Sequence, residues 1–207
     1  MKVLACHQGS PEWHQARAGK VTASCIADVM TRIKSGEAAA RRDYKATIVA
    51  EILTGTAQND NYISPAMQWG MEQEPFARAA YEIANNALVD QVGFVLHPTI
   101  ERAGMSPDGI VGPGLVEIKC PKTATHIQNL LSGKVPAQYQ PQMLWQMACA
   151  ESPWCDFVSF DPRLSPELQL FVVRFERDEA RIREMEAEVA LFLTEVDAMI
   201  AALKSRG

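Results

Sequence analysis

Between Gly104 and Pro121 the chain carries two tight turns around short apolar runs, and this stretch constrains everything that packs against it. Ser106, Pro107, Asp108 and Gly109 supply turn chemistry at the end of one run, and Gly112, Pro113 and Gly114 then reverse the chain. Residues 115–119 alternate apolar and polar, the pattern of a half-buried strand. In such a strand Glu117 and Lys119 share one face, while Val116 and Ile118 point to the other. Closure of the hairpin brings Asp108 towards Glu117 and Lys119. Two carboxylates suit a hard divalent cation such as Mg²⁺ better than zinc or iron. A lysine beside that ion holds an attacking water or takes its proton, and the ion offsets charge on a phosphate oxygen, so the trio points to phosphodiester hydrolysis. The same residues also fit a surface hairpin whose Glu and Lys form a cross-strand ion pair contributing under ~1 kcal/mol.

At 207 residues and 47% apolar content the chain has ample material for a core, and it reads as one domain, 1–207, with helical additions at both ends. It contains no apolar run of about 18 residues, and its first residues are too mixed for a signal peptide; a cytoplasmic protein with no membrane association is expected. Cys6, Cys25, Cys120, Cys149 and Cys155 are irregularly spaced with no Cys-x-x-Cys, which argues for free thiols over disulfides, a zinc ribbon or an iron–sulfur cluster. The net charge of −5 has the wrong sign for a protein that coats DNA with its whole surface. Any nucleic acid must meet a local basic patch or an enclosed channel.

In chain order, Ser10 and Pro11 open a short helix that Gly19 ends, and Thr22 caps the next, which runs to about Thr31. Arg17 and Ser24 fall near two helix termini, where a guanidinium, a hydroxyl and free amides make a place for a phosphate; ordinary capping plus a surface arginine fits equally. A long helix is expected over 37–54, closed by Gly55, with Ile48, Val49, Ile52 and Leu53 buried. Its Arg41, Arg42 and Lys45 form either a solvated face or a track for a DNA backbone. After polar 58–61, Ser64 and Pro65 start another helix towards Asn86, interrupted near Gly70 and at Pro75. Glu74 is thereby displayed at a bend, as a third carboxylate or as the partner of Arg78 four residues on. Strands are expected over 88–96, 100–105 and 115–119 as an antiparallel meander, then over 154–160 and 168–176, the last central. Helices are expected over 124–132, 136–150 and from 177 nearly to the end.

Taken together, several motifs resemble the family of lambda exonuclease and YqaJ-type viral recombinases. They are Trp13 and Arg17 with Thr22 and Ser24; Glu74 and Pro75 with Arg78; Ser106 to Gly109; Glu117 to Pro121; Tyr139 and Gln142; and Asp161 to Arg163. They come in the family order and cover about residues 8–163. The resemblance implies a restriction-endonuclease-like α/β fold, a central mixed β-sheet flanked by helices with the acidic site on an edge hairpin.

By the same resemblance Asp108, Glu117 and the main-chain carbonyl of Ile118 are ligands of Mg²⁺, or Mn²⁺, and Lys119 positions or deprotonates the attacking water. Glu74 serves a second ion, Arg17 recognises a 5′-phosphate with Ser24 helping, and Gln142 stands behind the site beside Tyr139. His97, Pro98 and Thr99 occupy the place of an acidic residue found elsewhere in the family, which puts that acid's role in doubt. The implied activity is processive 5′→3′ digestion of one strand of linear double-stranded DNA to mononucleotides, leaving a 3′ overhang. Implied partners are DNA ends, two further copies in a ring-shaped homotrimer, and a single-strand annealing protein of phage or prophage recombination in a bacterial cytoplasm. A structure-specific endonuclease of the same fold and a non-catalytic DNA-end-binding module are the competing expectations.

Overall fold

A computed structural model describes residues 1–58 and 63–206; the polar stretch 58–61 lies mostly outside these residues. In order, the elements are β1 (Lys2–Leu4), α1 (Pro11–Arg17), β2 (Val21–Thr22), α2 (Ile26–Met30), α3 (Ala39–Thr54), α4 (Pro65–Asn85), β3 (Phe94–Leu96), β4 (Ala103–Met105), β5 (Gly109–Val111), β6 (Gly114–Lys119), α5 (Thr123–Ser132), α6 (Gln140–Ala150), β7 (Trp154–Phe160), β8 (Leu170–Glu176) and α7 (Glu179–Lys204). The strands form two mixed four-stranded sheets, ordered β1-β3-β4-β2 and β5-β6-β7-β8. Hence there are two sheets where one was expected. The expected meander divides after β4: Ser106 and Pro107 turn the chain, and Pro107 has no N–H to continue a ladder.

β6 pairs antiparallel with β5 and parallel with β7, so it lies inside its sheet. Val116 and Ile118 join Ala77 and Tyr81 of α4 in a small apolar cluster, while Leu115 belongs to the main core with Met143, Leu144 and Met147 of α6. The strand is therefore buried on both faces, and the expectation of a half-buried strand is corrected. β8 is an edge strand, not the central one, because only β7 pairs with it. Gly114 starts β6 where the Trp154 ring lies against the backbone: a Cβ there would fall 2.3 Å from ring carbons.

α4 runs without a break through Gly70 and Pro75. Ser64 caps it by accepting from the Met67 N–H, and Asn86 closes it in the left-handed region. Pro75 removes the hydrogen bond to the Met71 carbonyl, a loss that both residues meet on the exposed side of the helix. Buried Ala77 and Tyr81 hold the next turns against the sheet, with the Tyr81 hydroxyl 2.8 Å from the buried Asp156 carboxylate. Packing of this kind outweighs the local preference to stop.

Of the basic residues on α3, Arg41 is buried and bonds Glu37 at 2.8 Å, Glu195 of α7 at 2.5 Å and Glu188 at 3.3 Å. Lys45 joins Glu37 and Glu195 at 2.7 and 2.8 Å. Both are committed to tying α3 to α7, which removes them as a track for DNA; Arg42 is exposed beside Asp43. Leu53, expected in the buried stripe, is exposed, whereas Ile48 and Val49 are buried. Charge reversal in Arg41→Glu is expected to cost about 3 kcal/mol in urea unfolding, the low end for a broken buried pair because Glu37 and Glu195 keep solvent contact. Arg42→Glu should stay within about 0.5 kcal/mol. Equal effects would show that the α3–α7 network contributes nothing.

Candidate active site

The hairpin register sets the site. Gly109 lies opposite Val116, and one more step of that antiparallel ladder puts Asp108 opposite Glu117. Asp108 Oδ2 accepts the Ile118 N–H at 2.6 Å, which fixes its carboxylate against the strand. Glu117 and Lys119 share the face turned to α6, as alternation requires. The Glu117 side chain is fully buried, and every contact it makes is with a donor. Gln142 Nε2 donates to Oε1 at 2.7 Å, Gln146 Nε2 donates to Oε2 at 2.6 Å, and the Lys119 ammonium pairs with Oε1. The Lys119 Nζ also stands 5.4 Å from the centre of the Tyr139 ring, which stacks on Phe157.

The charges of this group act on one another. Burial pushes the Asp108 carboxyl well above the usual carboxylate range; the Glu117 and Glu74 charges push the same way, against Lys119 and the Ile118 N–H. Burial alone would lower the Lys119 pKa, but Glu117 and Asp108 outweigh it and raise it. The ammonium is thus held in its charged form. Cys120 beside it is pushed up to about 12 by burial and then by Glu74 and Asp108, so it stays a thiol.

Glu74 of α4 reaches the same place: with Met67, Met71, Ile118, Lys119, Cys120 and Tyr139 it lines a cleft of about 420 Å³. Its Oε1 accepts from Arg78 at 2.6 Å, so the helix salt bridge and the proximity to the site both hold. Among the described residues no three His, Cys, Asp or Glu side chains are grouped closely enough to hold a metal by themselves. The Asp108 and Glu117 carboxylates are hard oxygen donors, with an excess of negative charge that shows in Asp108. That set fits Mg²⁺ or Mn²⁺.

Arg17 is placed by α1, which Ser10 caps through the Trp13 N–H at 3.2 Å. Thr22 makes no capping bond from its side chain; its hydroxyl meets Ser24 Oγ at 3.2 Å. Arg17 Nη2 donates to Ser24 Oγ at 3.1 Å and its guanidinium lies 4.3 Å from the Trp13 ring centre. No carboxylate among the described residues pairs with it. Burial lowers its pKa, opposed by Cys25, Tyr44 and Glu51. The largest of the described clefts, about 740 Å³, opens over Arg17, His14 and Lys20. Trp13 Nε1 donates to Ser106 Oγ at 2.8 Å, tying this cationic place to the turn that carries Asp108.

His97 is buried and stacked on Trp145 with ring centres 5.1 Å apart, and its Nε2 faces Glu186 of α7 at 3.2 Å. It braces the core between α6 and α7. Sequence reasoning missed Gln146 and the Trp13–Ser106 tie. Gln146 follows Gln142 by one helical turn, a spacing that puts both on one face and that points to it once Gln142 is singled out.

Fold and site together define a nuclease of the restriction-endonuclease-like class. Residues 12–153 match the YqaJ-like viral recombinase domain, and the chain belongs to that family. Its structure is similar to an alkaline exonuclease, LHK-Exo from Laribacter hongkongensis, at 50% identity over 95% of this chain and 97% of that one, with a TM-score of 0.88. The complex of LHK-Exo with dAMP matches over the same shares at 50% identity and a TM-score of 0.87. A phage related exonuclease from Haemophilus somnus 129PT, at 16% identity over 89% of this chain and 96% of that one, has a TM-score of 0.70 and shares the fold. A search of curated proteins found no match. Among the described residues no helix is long and apolar enough to cross a membrane, and all five cysteines are free.

Proposed function

We propose that the protein is a divalent-metal-dependent 5′→3′ exonuclease that degrades one strand of linear double-stranded DNA to mononucleotides and leaves 3′ overhangs for recombination by strand annealing. The observation that carries this reading is Glu117, buried between a lysine and two glutamines and opposite Asp108. Asp108, Glu117 and the Ile118 carbonyl would hold Mg²⁺, and the ion would supply charge stabilisation at a phosphate oxygen and a more acidic water. Lys119 pairs with Glu117 Oε1, where it would orient or deprotonate the attacking water and offset negative charge on the phosphate. Glu74 is the candidate for a second ion, in competition with Arg78 for one of its oxygens. The dAMP in the similar LHK-Exo is a deoxymononucleotide, the kind of product this reading requires.

Arg17 and Ser24 would receive the 5′-phosphate: the guanidinium is half-buried and lacks an acidic partner, so an incoming phosphate completes it. A homotrimeric ring, an annealing protein, a cytoplasmic site of action and a phage or prophage origin complete the proposal by family likeness. In a ring, cationic side chains face an enclosed channel while the outside stays acidic, which reconciles DNA binding with the net charge.

The experiment is digestion of a linear duplex labelled on one strand, bearing either a 5′-phosphate or a 5′-hydroxyl, beside a closed circle, with Mg²⁺. Mononucleotides released from the phosphorylated 5′ end with the circle intact are expected. Nicking of the circle would move the assignment to an endonuclease, and binding without cleavage to an end-binding module. In the same assay Arg17→Ala should abolish the preference for the phosphorylated end, with a loss of about 10–100-fold on that substrate, the size of a charged hydrogen-bonded contact of 1.5–3 kcal/mol. A retained preference would remove Arg17 from the phosphate site.

A further inference from the structure

We propose that Gln146 is a positioning residue for this reaction: together with Gln142 it clamps both oxygens of Glu117 and fixes the orientation in which that carboxylate meets the divalent ion. The inference rests on the metal-dependent nuclease reading above. Gln142 and Gln146 stand one turn apart on α6 and reach the two oxygens of the same buried carboxylate. An ionised carboxylate offers about four acceptor positions. Gln142 and Lys119 occupy Oε1 and Gln146 occupies Oε2, so the one position left open is on the oxygen that Gln146 holds.

The amide of Gln146 has its own support. It is fully buried, and its Oε1 faces the Cys155 thiol at 3.9 Å, a weak contact near the outer reach of a sulfur hydrogen bond. Burial keeps Cys155 a thiol, hence a donor. The donor on one side and the acceptor on the other leave the amide a single orientation, N–H towards Glu117; the flipped amide would set oxygen against carboxylate oxygen. A core filler would need neither contact. Removing the Gln146 donor frees Oε2 to rotate, and loss of such a supporting hydrogen bond typically weakens a metal site about 10–100-fold.

The test compares the wild type with Gln146→Met, which keeps the side-chain length and loses the donor. Four quantities are read: affinity for Mn²⁺ without DNA, from the electron paramagnetic resonance signal of the free ion; kcat and KM on a linear duplex with Mg²⁺; and melting temperature. The expected result is Mn²⁺ affinity and kcat each lower by about 10–100-fold with KM for DNA unchanged. A folded variant with wild-type Mn²⁺ affinity and kcat overturns the proposal, as does a change confined to melting temperature. Should Gln146→Met fail to fold, Gln146→Asn, which keeps the amide but draws it back by one methylene, decides by the same readouts. A wild type that binds Mn²⁺ and cleaves nothing sinks the nuclease reading, and the clamp is then judged on metal affinity alone. A wild type that binds no Mn²⁺ overturns the clamp.

Discussion

Lys119→Ala is expected to reduce nucleotide release from a 5′-phosphorylated linear duplex by roughly 10²–10⁴-fold, while duplex binding and folding stay close to wild type. The ammonium sits where the buried Glu117 carboxylate, Asp108 and the Tyr139 ring converge, a positive charge in a negatively charged place. Its removal takes away the group that orients water and phosphate and leaves Glu117 with two amide donors, which keep the side chain in place. Lys119→Arg is not expected to rescue, because a planar guanidinium cannot occupy the position of a compact ammonium wedged between a carboxylate and an aromatic face. Single-turnover release of labelled mononucleotide measures the chemical step directly. A Lys119→Ala rate within about tenfold of wild type would transfer the role elsewhere.

Asp108→Asn should be as inactive, by about 10²–10³-fold, and yet melt at a higher temperature than wild type when both are free of metal. Asparagine keeps an oxygen for the Ile118 N–H and removes a charge crowded by Glu117 and Glu74. The sign follows from the direction of the shift. A carboxyl whose folded pKa lies above its unfolded value of about 3.9 binds its proton more tightly in the folded chain. Its favourable contribution is complete below the unfolded value and is lost as pH rises through the folded one. Metal-free wild type should therefore lose stability relative to Asp108→Asn on going from acid to neutral pH. Mg²⁺ should raise the melting temperature of the wild type and leave the variant nearly unmoved, since an ion stabilises only the form that binds it. Melting curves with chelator and with Mg²⁺ across this pH range check both statements. A variant that melts below metal-free wild type at neutral pH would show that the charge crowding at Asp108 is not real.

The legible parts of the chain were those governed by neighbours in sequence. Ser10–Pro11 and Ser64–Pro65 announced helix starts, Gly55 a helix end, and the alternation in β6 put Glu117 and Lys119 on one face. The readings that failed were decided at long range. Pro75 marked a break that the packing of Ala77 and Tyr81 overrides. The hydrophobicity of β8 placed it at the centre, but its partners are set by the parallel pairing of β6 with β7, which no local pattern encodes. Arg41 and Lys45 looked like a free basic face because Glu188 and Glu195 are far away along the chain.

The same division runs through the site. Sequence alone determined the candidate group: two carboxylates and a lysine on a hairpin, because turn chemistry and the two-residue period of a strand fix which side chains share a face. Tertiary structure alone decided their state. Glu117 is fully buried because α6 covers that face of the strand, and a buried carboxylate must find donors within the protein, which α6 supplies as Gln142 and Gln146. Tertiary structure likewise brought Arg17 near the candidate site, through the bond from Trp13 to Ser106 that joins α1 to the Asp108 turn across three helices and three strands of chain.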